Sequence, residues 1–215
     1  MTSRSFGPAC FASVALAGLA ACTSVLAPVL KPNVTTDVVK LEGGNWQLDP
    51  AHAALTFKID HLGYSTYIGR FERFDVQLSG AADNPADAKV EGRVDMSSLD
   101  IANDEFAETL MGADWFNAAN FPEARFQSTR IVMTSETTAD VEGILTLHGK
   151  NAPVTLAVTF NGAGFDRLRN AQVAGFSATT EIDRTVFGIS RFGGLITDMV
   201  RVEIEAELLK TPGVT

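Results

Sequence analysis

The segment that most constrains the fold lies near the C-terminus, where Val200, Val202, Ile204, Ala206 and Leu208 alternate with Arg201, Glu203, Glu205 and Glu207. A side-chain period of two puts all four charges on one face of an extended strand and the apolar groups on the other. One face is wet and the other dry. Leu55, Phe57 and Ile59 alternate in the same way with Thr56, Lys58 and Asp60, as do Phe74, Val76 and Leu78 with Arg73, Asp75 and Gln77, and Val154, Leu156, Val158 and Phe160 with Thr155, Ala157 and Thr159. Weaker alternation runs through 90–96, 125–133, 141–147 and 174–182. About eight strands result, separated by turn-rich stretches at 80–85, 135–140, 149–153 and 161–170.

One segment breaks this rhythm. Asn103 is a cap candidate, Asp104 and Glu105 stand in a first turn, Phe106 and Leu110 are four apart, and Gly112 is a stop, which predicts a short helix over 104–111. Trp115 and Phe116 follow directly, so an insertion near 104–117 is expected to lay aromatic rings across one end of the sheet. Eight antiparallel strands with one apolar face form either a sandwich or a closed barrel. A membrane-spanning barrel also alternates, with its apolar face toward lipid. It is disfavoured by 14 Phe against only 2 Trp and 2 Tyr, too few for interfacial girdles, and by three Glu in one strand that would crowd a narrow lumen. The apolar face is therefore read as inward.

The N-terminus has a different character. Arg4 precedes a mostly apolar stretch from Ala9 to Leu19, closed by Leu19-Ala20-Ala21-Cys22, the layout of a signal peptide over 1–21. Gly7, Pro8, Gly18, Thr23, Ser24 and Pro28 interrupt the uncharged run, whose apolar part falls short of the ~20 residues of a transmembrane helix. Leu19-Ala20-Ala21-Cys22 resembles the bacterial lipobox, in which the Cys is diacylated and becomes the first residue of the mature chain. The resemblance implies an anchor at Cys22, and Thr23 after it points to the outer membrane. The only other cysteine, Cys10, lies in the segment that would be removed, so lipidation accounts for an otherwise unpaired thiol. The alternative is a plain secreted protein cut near Ala20-Ala21. Residues 22–44, with Pro28, Pro32 and Gly43-Gly44, read as the acylated Cys and a flexible tether, and 45–210 as one domain. Loss of Arg4, the one charged residue in 1–21, takes the formal net charge from −9 to −10. An acidic domain without a Lys/Arg cluster argues against nucleic acid and against broad attraction to anionic membrane surfaces.

Trp46-Gln47-Leu48-Asp49-Pro50-Ala51-His52, Phe57-Lys58-Ile59-Asp60-His61-Leu62-Gly63, and Gly69-Arg70-Phe71 with Phe74-Asp75 resemble the opening of the YceI-like family. Ser97-Ser98-Leu99-Asp100 before the helix, Leu110 to Phe116, and Phe121-Pro122 with Phe126-Gln127-Ser128-Thr129 continue the resemblance. Gly143-Ile144-Leu145-Thr146-Leu147-His148-Gly149 and Ala174 to Thr180 with Phe187-Gly188-Ile189 complete it. The chain departs from the family pattern at Ile101, Lys150-Asn151-Ala152, Asp183 and Val186. The resemblance covers about 45–209 and implies an all-β, eight-stranded antiparallel lipocalin-like barrel in the periplasm that binds a polyisoprenoid or isoprenoid quinone, with no cofactor.

Candidates for the lipid lining are the apolar-face residues Phe57, Phe74, Val76, Phe126, Leu145, Leu156, Val158, Phe176 and Ile204, with Trp115 and Phe116 from the insertion. Each serves equally well as ordinary core. A polar head group would need donors at the barrel mouth, and Arg184 and Arg191, flanking Phe187-Gly188-Ile189, are candidates, with Arg70 a third. Arg184 can instead form an ion pair with Asp183 or Asp198. The three His, at 52, 61 and 148, have no metal-site spacing, and neither a Gly-x-Ser-x-Gly elbow nor a phosphate loop occurs. The expectation is a non-catalytic lipid carrier with an apolar partner and no signature of oligomeric state. Its rival is an envelope interaction or stress-response module with a filled barrel.

Overall fold

The computed structural model describes residues 30–37, 41–80 and 84–211. The signal peptide over 1–21 and the acylation candidate Cys22 lie outside the described residues. Among the described residues ten strands form: β1 (Gly44–His61), β2 (Ser65–Phe71), β3 (Phe74–Gly80), β4 (Lys89–Asp95), β5 (Leu99–Asp100), β6 (Glu123–Met133), β7 (Thr138–Leu147), β8 (Lys150–Asp166), β9 (Ala171–Asp183) and β10 (Met199–Lys210). All pairings are antiparallel. The order β10-β9-β8-β7-β6-β4-β3-β1 closes on itself through β1 and β10, giving an eight-stranded barrel. The eight strands expected from alternation are the eight staves of this barrel. Closure decides between the sandwich and the barrel that periodicity left open, and it leaves no long open edge.

The short strands β2 and β5 are additions at one end, β2 on the second half of β1 and β5 on β2. Between β7 and β8 the chain turns on only His148 and Gly149, both at positive φ (51° and 72°). That is the geometry a two-residue hairpin loop requires to match strand twist, and it gives the His-Gly pair a structural role.

The predicted helix is α1 (Asp104–Met111). The side chain of Asn103 accepts the Phe106 N–H at 2.8 Å, satisfying one of the free donors of the first turn. Ala107 and Leu110 turn inward, and the chain then carries Trp115 and Phe116 across the barrel end. Phe116 meets Phe71 edge-on at 5.8 Å between ring centres, and Trp115 lies 5.9 Å from Phe192.

Two apolar clusters divide the interior. One, built on Leu41, Trp46, Leu48, Leu78, Ile131, Val141, Phe160, Ala174 and Leu208, surrounds the half of the barrel where β1 begins. The other, built on Leu55, Phe71, Met96, Leu99, Ile101, Leu110, Trp115 and Ile189, closes the opposite end beneath α1. In the stretch read as a tether, Thr35 pairs with Ala163 of β8 and Leu41 is buried in the first cluster.

Candidate functional site

Lined largely by the first cluster, the barrel encloses a cavity of about 270 Å³. Every barrel strand contributes to its wall. Val202, Ile204, Ala206 and Leu208 line it, while the alternate residues of β10 turn outward: Glu203 pairs with Lys58 at 2.7 Å, Glu205 accepts from Ser177, and Glu207 pairs with Arg169. The C-terminal alternation thus corresponds to an apolar cavity wall and a charged outer surface.

Eight of the eleven proposed lining residues reach the cavity: Phe74, Val76, Phe126, Leu145, Leu156, Val158, Phe176 and Ile204. Phe57, Trp115 and Phe116 do not. They belong to the end cluster, where the Phe57 ring packs 5.9 Å from that of Phe71. Residues that sequence reasoning missed include Val90, Ile131, Met133, Val141, Ala178 and Val202. Phe126 is placed by a missing side chain across the sheet: a Cβ on Gly143 would lie 2.4 Å from Phe126 Cζ, so the ring occupies the space that glycine leaves on β7.

The wall is almost wholly carbon. Of its charged members, Asp75 and Arg93 alternate with inward residues, and the Asp75 carboxylate accepts from the Gln47 amide. The Thr180 hydroxyl donates to the Thr155 carbonyl at 2.8 Å, and that of Thr138 bonds to Thr134. The Asp75, Thr180 and Thr138 side chains are satisfied locally. At one end the lining runs out to the loop residues Pro85 and Thr137, and at the other it is stopped by Met96 and the end cluster.

None of the three candidate head-group arginines lies on the cavity wall. Arg184, expected at a mouth, is buried and holds together the loop between β9 and β10. Its guanidinium donates to the carbonyls of Thr197 (3.2 Å), Ile189 (2.8 Å) and Arg191 (2.9 Å), and to Asp198 (2.8 Å). Arg191 pairs with Asp114 at 2.9 Å, and Arg70 with Asp100 at 2.5 Å and Glu72 at 3.4 Å. A charge-assisted cluster also stands outside the cavity. In β1 three residues more than in β10 separate the pairs Leu48–Leu208 and Ala53–Ala206, and the excess brings Asp49 and His52 to Arg169. Arg169 bonds Glu207 at 2.6 Å, Asp166 at 2.9 Å and Asp49 at 3.0 Å. Burial alone would raise the Asp49 carboxyl, but bonds from His52, the Ala51 N–H and Arg169 outweigh it and hold Asp49 below the usual carboxylate range. The Arg169 N–H and guanidinium also lower Asp166.

Among the described residues, no cluster of His, Cys, Asp and Glu could hold a metal ion, and no helix is long and apolar enough to cross a membrane. A closed antiparallel barrel around an apolar cavity defines the lipocalin-like class. Within it, the YceI-like domain model matches residues 46–208, and the chain belongs to that family. A UPF0312 protein of Vibrio cholerae is 38% identical over 157 residues, covering 73% of this chain and 82% of the relative. One from Pseudomonas putida is 38% identical over 159 residues, covering 74% and 82%. The crystal structure of Burkholderia cenocepacia BcnA superposes with a TM-score of 0.65 at 24% identity, over 76% of this chain and 99% of that one. A polyisoprenoid binding domain from Saccharophagus degradans superposes with a TM-score of 0.58 at 14% identity, over 79% and 100%. Both structures share the barrel fold.

Proposed function

We propose that this protein is a non-catalytic carrier of the bacterial envelope, and that its barrel cavity holds a polyisoprenoid or an isoprenoid quinone. The observation that carries the reading is a cavity of about 270 Å³ whose wall is almost entirely apolar and whose Thr138 and Thr180 hydroxyls are already bonded. Such a wall offers no nucleophile with a base and no paired carboxylates, and it suits a slender hydrocarbon. Each buried methylene-sized group contributes ~0.8 kcal/mol, so one isoprene unit contributes roughly 4 kcal/mol before ordering costs. Membership of the YceI-like family and likeness to a barrel described as a polyisoprenoid binding domain support the same class of ligand. On the lipobox reading, acylated Cys22 anchors the mature chain to the outer membrane on its periplasmic face.

Native mass spectrometry of protein purified from its own membrane tests the carrier reading. An adduct of isoprenoid mass is expected. A bare mass, with no uptake of prenyl alcohol or quinone in solution, would refute it and leave a filled-barrel interaction module. The anchor is tested separately: Cys22→Ser should release the protein from membranes.

A further inference from the structure

The end at which the cavity reaches the loops carries a second feature. β8 and β9 continue beyond the barrel wall: the last β7 partner of β8 is Thr159, whereas pairing with β9 runs on to Asp166 and Ala171. The projecting hairpin is fixed by Asp166, which accepts the Leu168 and Arg169 N–H groups, and by the Arg169 bonds to Asp49 and Glu207. Large apolar side chains stand at its tip and flank, Leu168 at 74% exposure, Phe165 at 45% and Val34 at 56%. We propose that this hairpin docks on a lipid bilayer, so that the open end of the cavity faces the membrane from which an apolar ligand comes; its purpose rests on the carrier reading above.

The path of the N-terminal segment selects this partner. Thr35 and Ala163 exchange two backbone hydrogen bonds of 2.8 Å in an antiparallel bridge. The segment lies tightly on β8, since a Cβ on Gly164 would fall 2.7 Å from the Asn33 carbonyl oxygen. An antiparallel sense means that, going back from Thr35, the chain passes Gly164 toward the hairpin tip, away from the barrel. The thirteen residues from Cys22 to Thr35 reach at most ~45 Å. An acyl anchor at Cys22 therefore puts the bilayer within reach of this end. The opposite end also exposes apolar groups, Tyr64 at 87% foremost, and both ends carry acidic residues, Asp104, Glu105 and Glu108 of α1 there and Asp87 and Glu136 in the loops here, so the path of the N-terminal segment is what distinguishes them. A few half-exposed side chains bind membranes weakly alone, and on a chain already held at the bilayer by its anchor such a contact sets the orientation.

The test places a reporter at each end through Leu168→Trp and Tyr64→Trp. The chain carries an N-terminal oligohistidine tag in place of Cys22 and is held on vesicles of phosphatidylethanolamine, phosphatidylglycerol and nickel-chelating lipid, so that acylation is not needed. With brominated acyl chains the Leu168→Trp signal should fall roughly twofold or more against unbrominated vesicles, as for a group sunk to the head-group boundary, with Tyr64→Trp unchanged. Equal or greater quenching at position 64, or none at either, overturns the proposal. In a second measurement, Phe165→Asp with Leu168→Asp should slow transfer of a prenyl alcohol from vesicles about tenfold while uptake from detergent solution stays unchanged. Unslowed transfer also counts against docking. If the unmutated protein takes up no prenyl alcohol from either source, the carrier reading fails and quenching alone decides the orientation.

Discussion

Ala178 sits on β9 between Val158 of β8 and Ile204 of β10, and all three face the cavity. Ala178→Leu adds three carbons to that space. If the space is empty in the lipid-free protein, their burial contributes ~2.4 kcal/mol at ~0.8 per carbon, against ~0.5–1 kcal/mol of lost rotamer freedom. The net gain is about 1.5 kcal/mol, which for a domain of this size raises Tm by roughly 3–6 °C. The ligand experiences the opposite sign. The three added carbons take up part of the 270 Å³ cavity that a ligand would otherwise fill. A ligand that loses three carbons of burial loses ~2.4 kcal/mol, or roughly 50-fold in affinity. The assay is thermal and urea unfolding of delipidated protein, paired with equilibrium titration by a labelled prenyl alcohol. Stability up and affinity down is the signature of a real cavity. If the barrel is instead filled, the added carbons overpack it and stability falls by ~1–3 kcal/mol, which would refute the reasoning.

Arg169→Ala leaves Asp49, Asp166 and Glu207 facing one another, and urea unfolding should show a loss of ~2 kcal/mol, the figure for a buried pair discounted because the guanidinium is a quarter exposed. Asp49 and Asp166 are held below their ordinary values, so their contribution is present above the unfolded carboxylate pKa of ~4 and is lost as pH falls through the lower folded values. Unfolding measured from pH ~5 down to ~2 should therefore show a steep loss of stability that Arg169→Ala flattens. Gly143→Val forces the Phe126 ring out of its place. The expected cost is ~1–3 kcal/mol with weaker prenyl binding, and unchanged stability would show that the ring moves freely. Asn103→Ala removes the α1 cap and should cost ~1 kcal/mol in urea unfolding without altering ligand affinity, because the cap lies outside the cavity wall.

The barrel was legible because a strand buried on one face writes its burial into alternate residues, and β10 does so without interruption. Where alternation weakened, the structure supplies a cause. In β6 the register slips between Ser128 and Arg130, so Phe126 and Ile131, of opposite parity, both face the cavity. In β8 a slip between Phe160 and Gly162 lets Leu156, Val158 and Phe160 face inward and then Ala163. β2 stayed hidden because Gly69 stands between its inward Tyr67 and Phe71 while Ile68 points to solvent. Parity also puts Phe57 on the same face as Leu55, but it does not encode depth along the barrel, and the Phe57 ring lies in the end cluster. The pairing of Arg184 with Asp198 was among the readings the sequence offered, whereas its carbonyl bonds and the whole Arg169 cluster were illegible for another reason. Those bonds depend on partners such as Thr197, Ile189, Asp49 and Glu207, brought together by loops and a strand excess that no local spacing announces.

The two ends of the barrel are not equivalent, and this bears on how a ligand would be chosen. At the closed end Arg184 has turned its donors to its own loop, Arg191 and Arg70 are paired with carboxylates, and Met96 with the aromatic cluster stops the cavity. A hydroxyl, carbonyl or phosphate pushed to that end would meet no free donor among these residues and would cost ~1–3 kcal/mol or more as an unsatisfied buried group. At the open end the lining reaches the partly exposed loop residues Thr137 and Pro85. The cheaper pose for any isoprenoid keeps its hydrocarbon tail inward and its polar head at the open end, still hydrated. Such a pose reads the tail by length and branching, where each carbon is worth ~1 kcal/mol, and hardly reads the head at all. The same geometry that makes the barrel hospitable to a hydrocarbon chain therefore makes it tolerant of what that chain carries.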